Sequence, residues 1–169
     1  LGGGSFSGGG SAYIATRSKM FVCVASRAAP INLISEFNQL FRGSGQNNHR
    51  YDIYGQGRYG TSPYQDYELY RSQSPITHVS TMDTPLLLLH GTEDGSVEYL
   101  QAMEFYNALR FHGKPVIFLS YPGEAHNLRK YENQKDFSLR LWQFFDHYLK
   151  GKPAPGWMVE GVPFIKKKK

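Results

Sequence analysis

The second half of the chain alternates apolar runs typical of strands with periodic stretches typical of helices. Two uninterrupted apolar runs, within 85–91 and 115–121, are short and bounded by proline or glycine. This is the pattern of strands buried on both faces of a parallel sheet. Between them, apolar residues recur at every third position: Leu100, Met103, Tyr106 and Leu109. This spacing predicts a helix over 97–111, which ends before Gly113.

A second helix is predicted near the end of the chain. Its apolar face consists of Phe137, Leu141, Phe144, Phe145, Tyr148 and Leu149. These positions predict a helix that reaches about Leu149. Because the order strand, helix, strand, helix needs a crossover connection, we expect an α/β fold: a mostly parallel sheet covered by helices.

The first half is less regular. "SAYIATRS" (11–18) predicts a short helix, and "MFVCVASRA" (20–28) predicts a buried strand. Residues 43–63 are rich in Gly, Asn, Gln and Tyr without a clear period, which predicts a long surface excursion. The segment 64–75 predicts a short helix that stops at Pro75.

Composition restricts the class of protein. The chain has 169 residues with 40% hydrophobic and 15% aromatic content, enough for one packed domain. Of the formal charge of +5, four units belong to Lys166–Lys169, so we expect a solvated basic tail and no nucleic-acid partner. Cys23 cannot form an internal disulfide and is expected in the core. No apolar run could span a bilayer and no signal peptide is recognisable, so no compartment is predicted.

The glycine-rich opening "LGGGSFSGGGS" has three interpretations: a flexible linker, a phosphate cradle, or the strained turn of a serine hydrolase. A phosphate cradle needs a Lys-Ser/Thr pair or a ribose-binding acid downstream, and neither follows here. The linker and the hydrolase turn stay open on composition alone.

Polar residues follow the predicted strands where each strand ends. The opening offers Ser5 or Ser7, "HGTEDGSV" offers Glu93 or Asp94, and "PGEAHNL" offers His126. Carboxyl ends of parallel strands meet at one edge of the sheet. A serine needs an imidazole to take its proton and a carboxylate to orient that imidazole. The chain order Ser, acid, His is that of α/β-hydrolases.

Three motifs resemble those of the prolyl oligopeptidase family of serine peptidases. They are "GGSFSG", "HGTEDGSVEYLQ" and "GEAHNL", and the closing "FFDHYLKGKPAPGWMVEGVP" resembles the bacterial dipeptidyl- and acylaminoacyl-peptidase branch. The resemblance covers nearly the whole chain. It implies that residues 1–152 are the C-terminal part of an α/β-hydrolase catalytic domain, and that 153–169 are a C-terminal extension with a basic tail.

The resemblance selects the acid and the base. Asp94 lies where the family has its triad aspartate, three residues before Val97. Glu93 falls on a variable position and is expected to be solvated. Glu98 replaces a proline usual in the family, which we interpret as a loop detail. His126 matches the family's catalytic histidine.

No metal or cofactor is predicted. His90 and Asp94 are four residues apart, but a metal site would need a third ligand nearby, which the sequence does not offer. The remaining histidines have no comparable context and are expected to be structural: His49, His78, His112 and His147.

Either Ser5 or Ser7 can match the family's nucleophile, because each departs once from the elbow pattern Gly-x-Ser-x-Gly. The following helix and strand, "AYIATRSKMFVCVASRAAP", resemble the family's and align Ser5 with the nucleophile. Ser7 then replaces a family glycine and stays the alternative nucleophile. The backbone N–H of Phe6 is expected to be one oxyanion donor.

The resemblance implies a serine exopeptidase that acts on short peptides through an acyl-enzyme. Alternatives are an esterase or acyl hydrolase of the same fold, and an inactive hydrolase-fold fragment or binding module. The partners that the resemblance implies are the peptide substrate and an N-terminal part of the parent enzyme. That N-terminal part would hold the first strands of the hydrolase sheet, a β-propeller and a tyrosine that acts as the second oxyanion donor. Only Leu1 and Gly2 are expected before the elbow, which leaves an open sheet edge for another segment. A homo-oligomer is left open.

Overall fold

The computed structural model describes residues 1–161. The predicted basic tail, Lys166–Lys169, and the rest of 162–169 lie outside the described residues. Within residues 1–161 no helix is long and apolar enough to cross a membrane.

The secondary structure alternates strands and helices along the chain. The strands are β1 (Gly2–Gly4), β2 (Val24–Arg27), β3 (Leu40–Phe41), β4 (Gln46–Asn47), β5 (Leu86–Gly91) and β6 (Val116–Tyr121). The helices are α1 (Phe6–Arg17), α2 (Leu33–Phe37), α3 (His49–Ile53), α4 (Tyr67–Gln73), α5 (Tyr99–Phe111), α6 (Tyr131–Lys150) and α7 (Gly156–Val159), with a 3₁₀-helix at Pro75–Thr81.

Four strands form one parallel sheet in the order β1-β2-β5-β6, which confirms the predicted α/β class. Successive leucines of β5 point to opposite faces. Leu86 and Leu88 pack with Phe105 of α5, whereas Leu87 packs with Phe144 of α6. The apolar run of β5 is therefore buried on both sides, as its sequence indicates.

The glycine-rich opening is ordered secondary structure, so the linker interpretation is wrong. β1 extends to Gly4 rather than ending at Gly2, and α1 begins at Phe6, five residues before the predicted helix. β2 begins at Val24 rather than at Met20, whose side chain is exposed.

The buried face of α5 differs from the predicted stripe. Leu100 is exposed, and the buried positions include Gln101, Phe105 and Leu109. A strict three-residue repeat drifts away from a helix face that turns every 3.6 residues, so only the end of the predicted stripe faces the core. Leu149, the last residue of the stripe predicted on α6, is also exposed.

The predicted surface excursion over 43–63 contains packed structure: β4, which pairs with β3 just before it, and α3. Two of its polar side chains, Asn48 and Asp52, are buried together with Glu36 of α2. The amide of Asn48 donates to the carboxyl of Glu36 (2.6 Å) and to its carbonyl (3.0 Å). Burial, together with the neighbouring carboxyl of Asp52, raises the pKa of Glu36 from 4.5 to about 9.

We expect the free energy of unfolding to fall as the pH rises from 4.5 towards 9, because folded Glu36 keeps a proton that the unfolded chain releases. The slope for one proton is at most about 1.4 kcal/mol per pH unit. Glu36→Gln should flatten this slope, and Glu132→Gln, on an exposed position of α6, should not. Urea unfolding at pH 5, 7 and 9 measures it; equal slopes for wild type and Glu36→Gln would contradict the assignment.

Candidate active site

Ser5 occupies a sharp turn between β1 and α1. Its backbone has φ 57° and ψ −128°, a conformation that costs energy for any residue other than glycine. The turn is held by two hydrogen bonds: Ser5 N–H donates to the carbonyl of Arg27 (2.8 Å), and Gly9 N–H donates to the carbonyl of Ser5 (3.1 Å). A strained strand–turn–helix of this kind presents a serine side chain above the sheet edge.

Ser7, the alternative nucleophile, has a different position. Its hydroxyl donates to the carbonyl of Gly4 (2.8 Å) and accepts from the N–H of Gly4 (3.2 Å). The side chain is therefore engaged within the turn itself. This also shows how a serine is accommodated where the family resemblance leads one to expect a glycine.

Three side chains that are distant in the sequence form a continuous hydrogen-bonded chain. Ser5 Oγ lies 2.9 Å from His126 Nε2, and His126 Nδ1 lies 2.8 Å from Asp94 Oδ2. The carboxylate is fully buried, whereas the imidazole side chain is about one-fifth exposed. This arrangement orients Nδ1–H towards the carboxylate and leaves Nε2 free to accept the hydroxyl proton of Ser5.

Asp94 is held as a carboxylate. Burial alone would raise the pKa of its carboxyl group, but donors from His126, His90, Ser96 and Val97 outweigh burial and hold the pKa well below its usual range. The backbone N–H groups of Ser96 and Val97 both donate to Oδ1, at 2.9 and 3.0 Å. Oδ2 is left to the two imidazoles.

The loops that carry Asp94 and His126 pack backbone against backbone. A Cβ atom at Gly91 would lie 2.3 Å from the carbonyl oxygen of Glu124 and 2.5 Å from that of Ala125. The N–H of Glu93 donates to the same Glu124 carbonyl (2.9 Å). Glycine at position 91 thus permits the close backbone approach that brings Asp94 and His126 together.

Two further residues hold the loops around the site, and the sequence pattern did not indicate either of them. Arg27 Nη1 donates to the carbonyl of His126 (2.9 Å) and to Asn127 Oδ1 (2.8 Å), while the Arg27 carbonyl holds Ser5 N–H. The buried carboxylate of Glu124 stabilises the loop that carries His126. It accepts hydrogen bonds from the N–H groups of Arg129 (2.7 Å) and Lys130 (3.1 Å) and from the amide of Asn133 (2.6 Å). The only sequence feature that could have indicated Glu124 is an acidic residue two positions before His126.

Glu98 is more than a loop detail. Both of its carboxylate oxygens bind the guanidinium of Arg42, with Arg42 Nε at 2.8 Å from Oε1. The N–H of Arg42 also donates to the carbonyl of Gly95 (2.8 Å). The β3–β4 hairpin is therefore anchored on the loop that carries Asp94.

Phe6, the predicted oxyanion donor, is the first residue of α1. Its N–H is one of the four that a helix leaves without an internal acceptor, at the positive end of the helix dipole. That position, directly after Ser5, suits a donor to a negatively charged oxygen.

The other candidate residues lie in different surroundings. Glu93 has an exposed side chain. His90 and Asp94 contact each other directly at 3.0 Å, and no group of three or more His, Cys, Asp or Glu suited to a metal occurs within residues 1–161. The remaining histidines have local contacts elsewhere: His49 with Phe37, His78 with Ser72, His112 with Phe111, and His147 with Lys152.

The chain matches the sequence model of the prolyl oligopeptidase family over residues 1–152. It is 42% identical over 72 residues to the acylamino-acid-releasing enzyme of Homo sapiens, which is 41% of this chain and 10% of that protein. It is 34% identical over 77 residues to dipeptidyl-peptidase 5 of Porphyromonas endodontalis, covering 46% of this chain and 11% of that protein. The matched segment thus spans about a tenth of the length of these relatives.

Among solved structures, the fold is similar to that of the Pyrococcus horikoshii acylaminoacyl peptidase. The TM-score is 0.75 and the sequence identity is 21%, covering 96% of this chain and 26% of that one. At 21% identity, this similarity shows a shared fold and nothing more specific.

Proposed function

Because the chain belongs to the prolyl oligopeptidase family, we propose that Ser5, His126 and Asp94 are the catalytic triad of a serine peptidase. The observation that carries this proposal is the hydrogen-bonded chain from Ser5 Oγ through the imidazole of His126 to the buried carboxylate of Asp94. Nucleophile, base and orienting acid each have the partner that their role needs.

In the proposed reaction, Ser5 Oγ bonds to the carbonyl carbon of the scissile amide as its proton passes to His126 Nε2. The carbonyl oxygen becomes an oxyanion that the N–H of Phe6 stabilises. His126 then gives the proton to the leaving amine as the C–N bond breaks, and an ester on Ser5 remains. Water repeats the sequence: its proton goes to Nε2, its oxygen bonds to the acyl carbon, and Ser5 Oγ leaves and recovers the proton.

The ionised state of Asp94 suits this cycle. A carboxylate that stays charged stabilises the imidazolium formed in each half-reaction and keeps Nδ1 protonated. Hydrogen bonds from His126 and His90 keep the pKa of Asp94 low despite burial, so the stabilising charge is present at neutral pH.

We propose short peptides, in an acylaminoacyl- or dipeptidyl-peptidase-like reaction, as the substrate class. The names of the relatives support this choice. We also propose that an N-terminal segment of the same enzyme completes the site. β1 forms one edge of the described sheet, where a further strand could pair, and that segment would supply the second oxyanion donor.

The direct test is labelling of the intact protein with a fluorophosphonate probe, followed by peptide mapping. We expect the label on Ser5, in the wild type and in Ser7→Ala alike. A label on Ser7, or no label on either serine, would contradict the assignment. A panel of N-acyl-amino-acid anilides, dipeptide anilides and simple esters then distinguishes peptidase from esterase: a peptidase of the proposed class shows its highest kcat/KM on one of the anilides.

A further inference from the structure

A second histidine contacts the carboxylate of Asp94. His90 lies near the end of β5, and its imidazole is fully buried. Its Nε2 lies 2.9 Å from the carbonyl oxygen of Val97 and 3.0 Å from Asp94 Oδ2. Both neighbours are acceptors, so Nε2 carries a hydrogen and divides it between them.

The other ring nitrogen of His90 is consistent with this orientation. Within the described part of the chain, buried Nδ1 has no hydrogen-bond partner. If Nδ1 carried the hydrogen, a buried N–H donor would have no acceptor, and Nε2 would face two acceptors without a hydrogen. The imidazole is therefore the Nε2–H tautomer. The ring packs at 90° to that of Tyr99 of α5, with 5.9 Å between centroids, a T-shaped contact that favours this ring orientation.

We infer that His90 is a positioning residue: its Nε2–H holds the Asp94 carboxylate in the rotation that His126 needs and takes part of the negative charge on Oδ2. The inference rests on the proposed function of Ser5, Asp94 and His126. The contact between His90 and Asp94 is not among those that the family resemblance implies for the site.

Asp94 Oδ2 is shared by two imidazoles, those of His90 and His126. The backbone donors of Ser96 and Val97 hold Oδ1, so the plane of the carboxylate is set by Oδ1 on one side and by His90 on the other. Without His90, the carboxylate keeps its donors on Oδ1 but can tilt at Oδ2, and all of the charge on Oδ2 acts on His126. The first effect lowers the rate, and the second favours the protonated, inactive form of His126.

Other charged or titratable groups lie around Asp94 and His126. Arg27 on β2 donates to the carbonyl of His126, and Tyr99 on α5 packs against the His90 ring. Arg42, directly after β3, lies near Asp94 and near Glu93 and Glu98 of the same loop. Tyr99 contacts His90 through its ring, whereas its hydroxyl is hydrogen-bonded to Ser120 (2.9 Å). A substitution at position 90 removes none of these charges, so a change in the pH profile reports on the lost Nε2–H donor.

The test compares two variants. His90→Phe keeps an aromatic ring but removes the N–H donor, whereas His90→Gln has an amide nitrogen that can replace Nε2–H. In the intact protein we expect His90→Phe to lower kcat/KM for an N-acyl-amino-acid anilide about 10- to 100-fold. We also expect it to move the acid limb of the pH profile upward by about half a unit to one unit. His90→Gln should restore the wild-type acid limb. His112→Gln, at the exposed end of α5, is the matched control and should leave the profile unchanged.

Two outcomes would overturn the inference: a folded His90→Phe with the wild-type profile, or equal losses in both variants with no movement of the acid limb. If His90→Phe does not fold, His90→Asn serves instead, because its amide is too short to reach Oδ2 and should move the limb in the same direction. Fluorophosphonate labelling of the wild type separates the two proposals. An unlabelled Ser5 removes the proposed function, whereas a labelled Ser5 with an unchanged profile removes only the role of His90.

Discussion

Replacing Ser5 with alanine is expected to lower kcat for peptide anilides by about a million-fold, the loss typical of a removed serine nucleophile. The reason is that no other described hydroxyl is hydrogen-bonded to His126 Nε2. Without Oγ, the imidazole can activate only water, and no acyl-enzyme forms. Single-turnover and steady-state rates on an N-acyl-amino-acid anilide measure the loss in the intact protein.

Ser7→Ala is the matched control for this experiment, since Ser7 lies two residues away on the same turn. Its hydroxyl binds Gly4 rather than His126, so we expect at most a several-fold change in kcat. Because nucleophile and base act as a unit, adding His126→Ala to Ser5→Ala should cost almost nothing further. A Ser5→Ala enzyme with near-normal kcat, or a large loss in Ser7→Ala alone, would contradict the proposed triad.

Gly8→Ala is expected to lower the free energy of unfolding by about 1–3 kcal/mol, the usual cost of overpacking. A Cβ atom at Gly8 would lie 2.7 Å from the carbonyl oxygen of Arg27 and 3.1 Å from the side chain of Ala29. The carbonyl cannot move freely, because it accepts the N–H of Ser5 at 2.8 Å. α1 must therefore move away from β2, which loosens the turn that holds Ser5, and kcat should fall together with stability.

Gly10→Ala, two residues further along α1, separates this contact from helix propensity. A Cβ atom at Gly10 meets nothing within 4 Å, so alanine there should raise stability by about 0.5–1 kcal/mol. Urea unfolding with an unchanged m-value measures both variants. Equal changes in the free energy of unfolding for Gly8→Ala and Gly10→Ala would contradict the prediction that the contact between α1 and β2 excludes a side chain at position 8.

Much of the fold follows from local patterns. The apolar runs of β5 and β6 and the order of strands and helices predict the parallel sheet, because a continuous apolar strand is stable only when both faces are covered. The start of α1 and the buried face of α5 could not be predicted in this way. Gly8 is helical because α1 packs against β2, and Gln101 is buried because its side-chain oxygen accepts the N–H groups of Ile31 (2.9 Å) and Asn32 (2.8 Å).

By itself, the sequence determined which residue types reach the site. Parallel strands bring their carboxyl ends to one edge whatever the loops contain, so a serine, an acid and a histidine after three strands are expected together. Tertiary structure decided which atoms meet. Ser5 rather than Ser7 approaches His126 because only position 5 adopts the strained turn. Contacts such as Arg27 with His126 and Arg42 with Glu98 join residues 99 and 56 positions apart, and no local periodicity encodes contacts that depend on how separate loops pack.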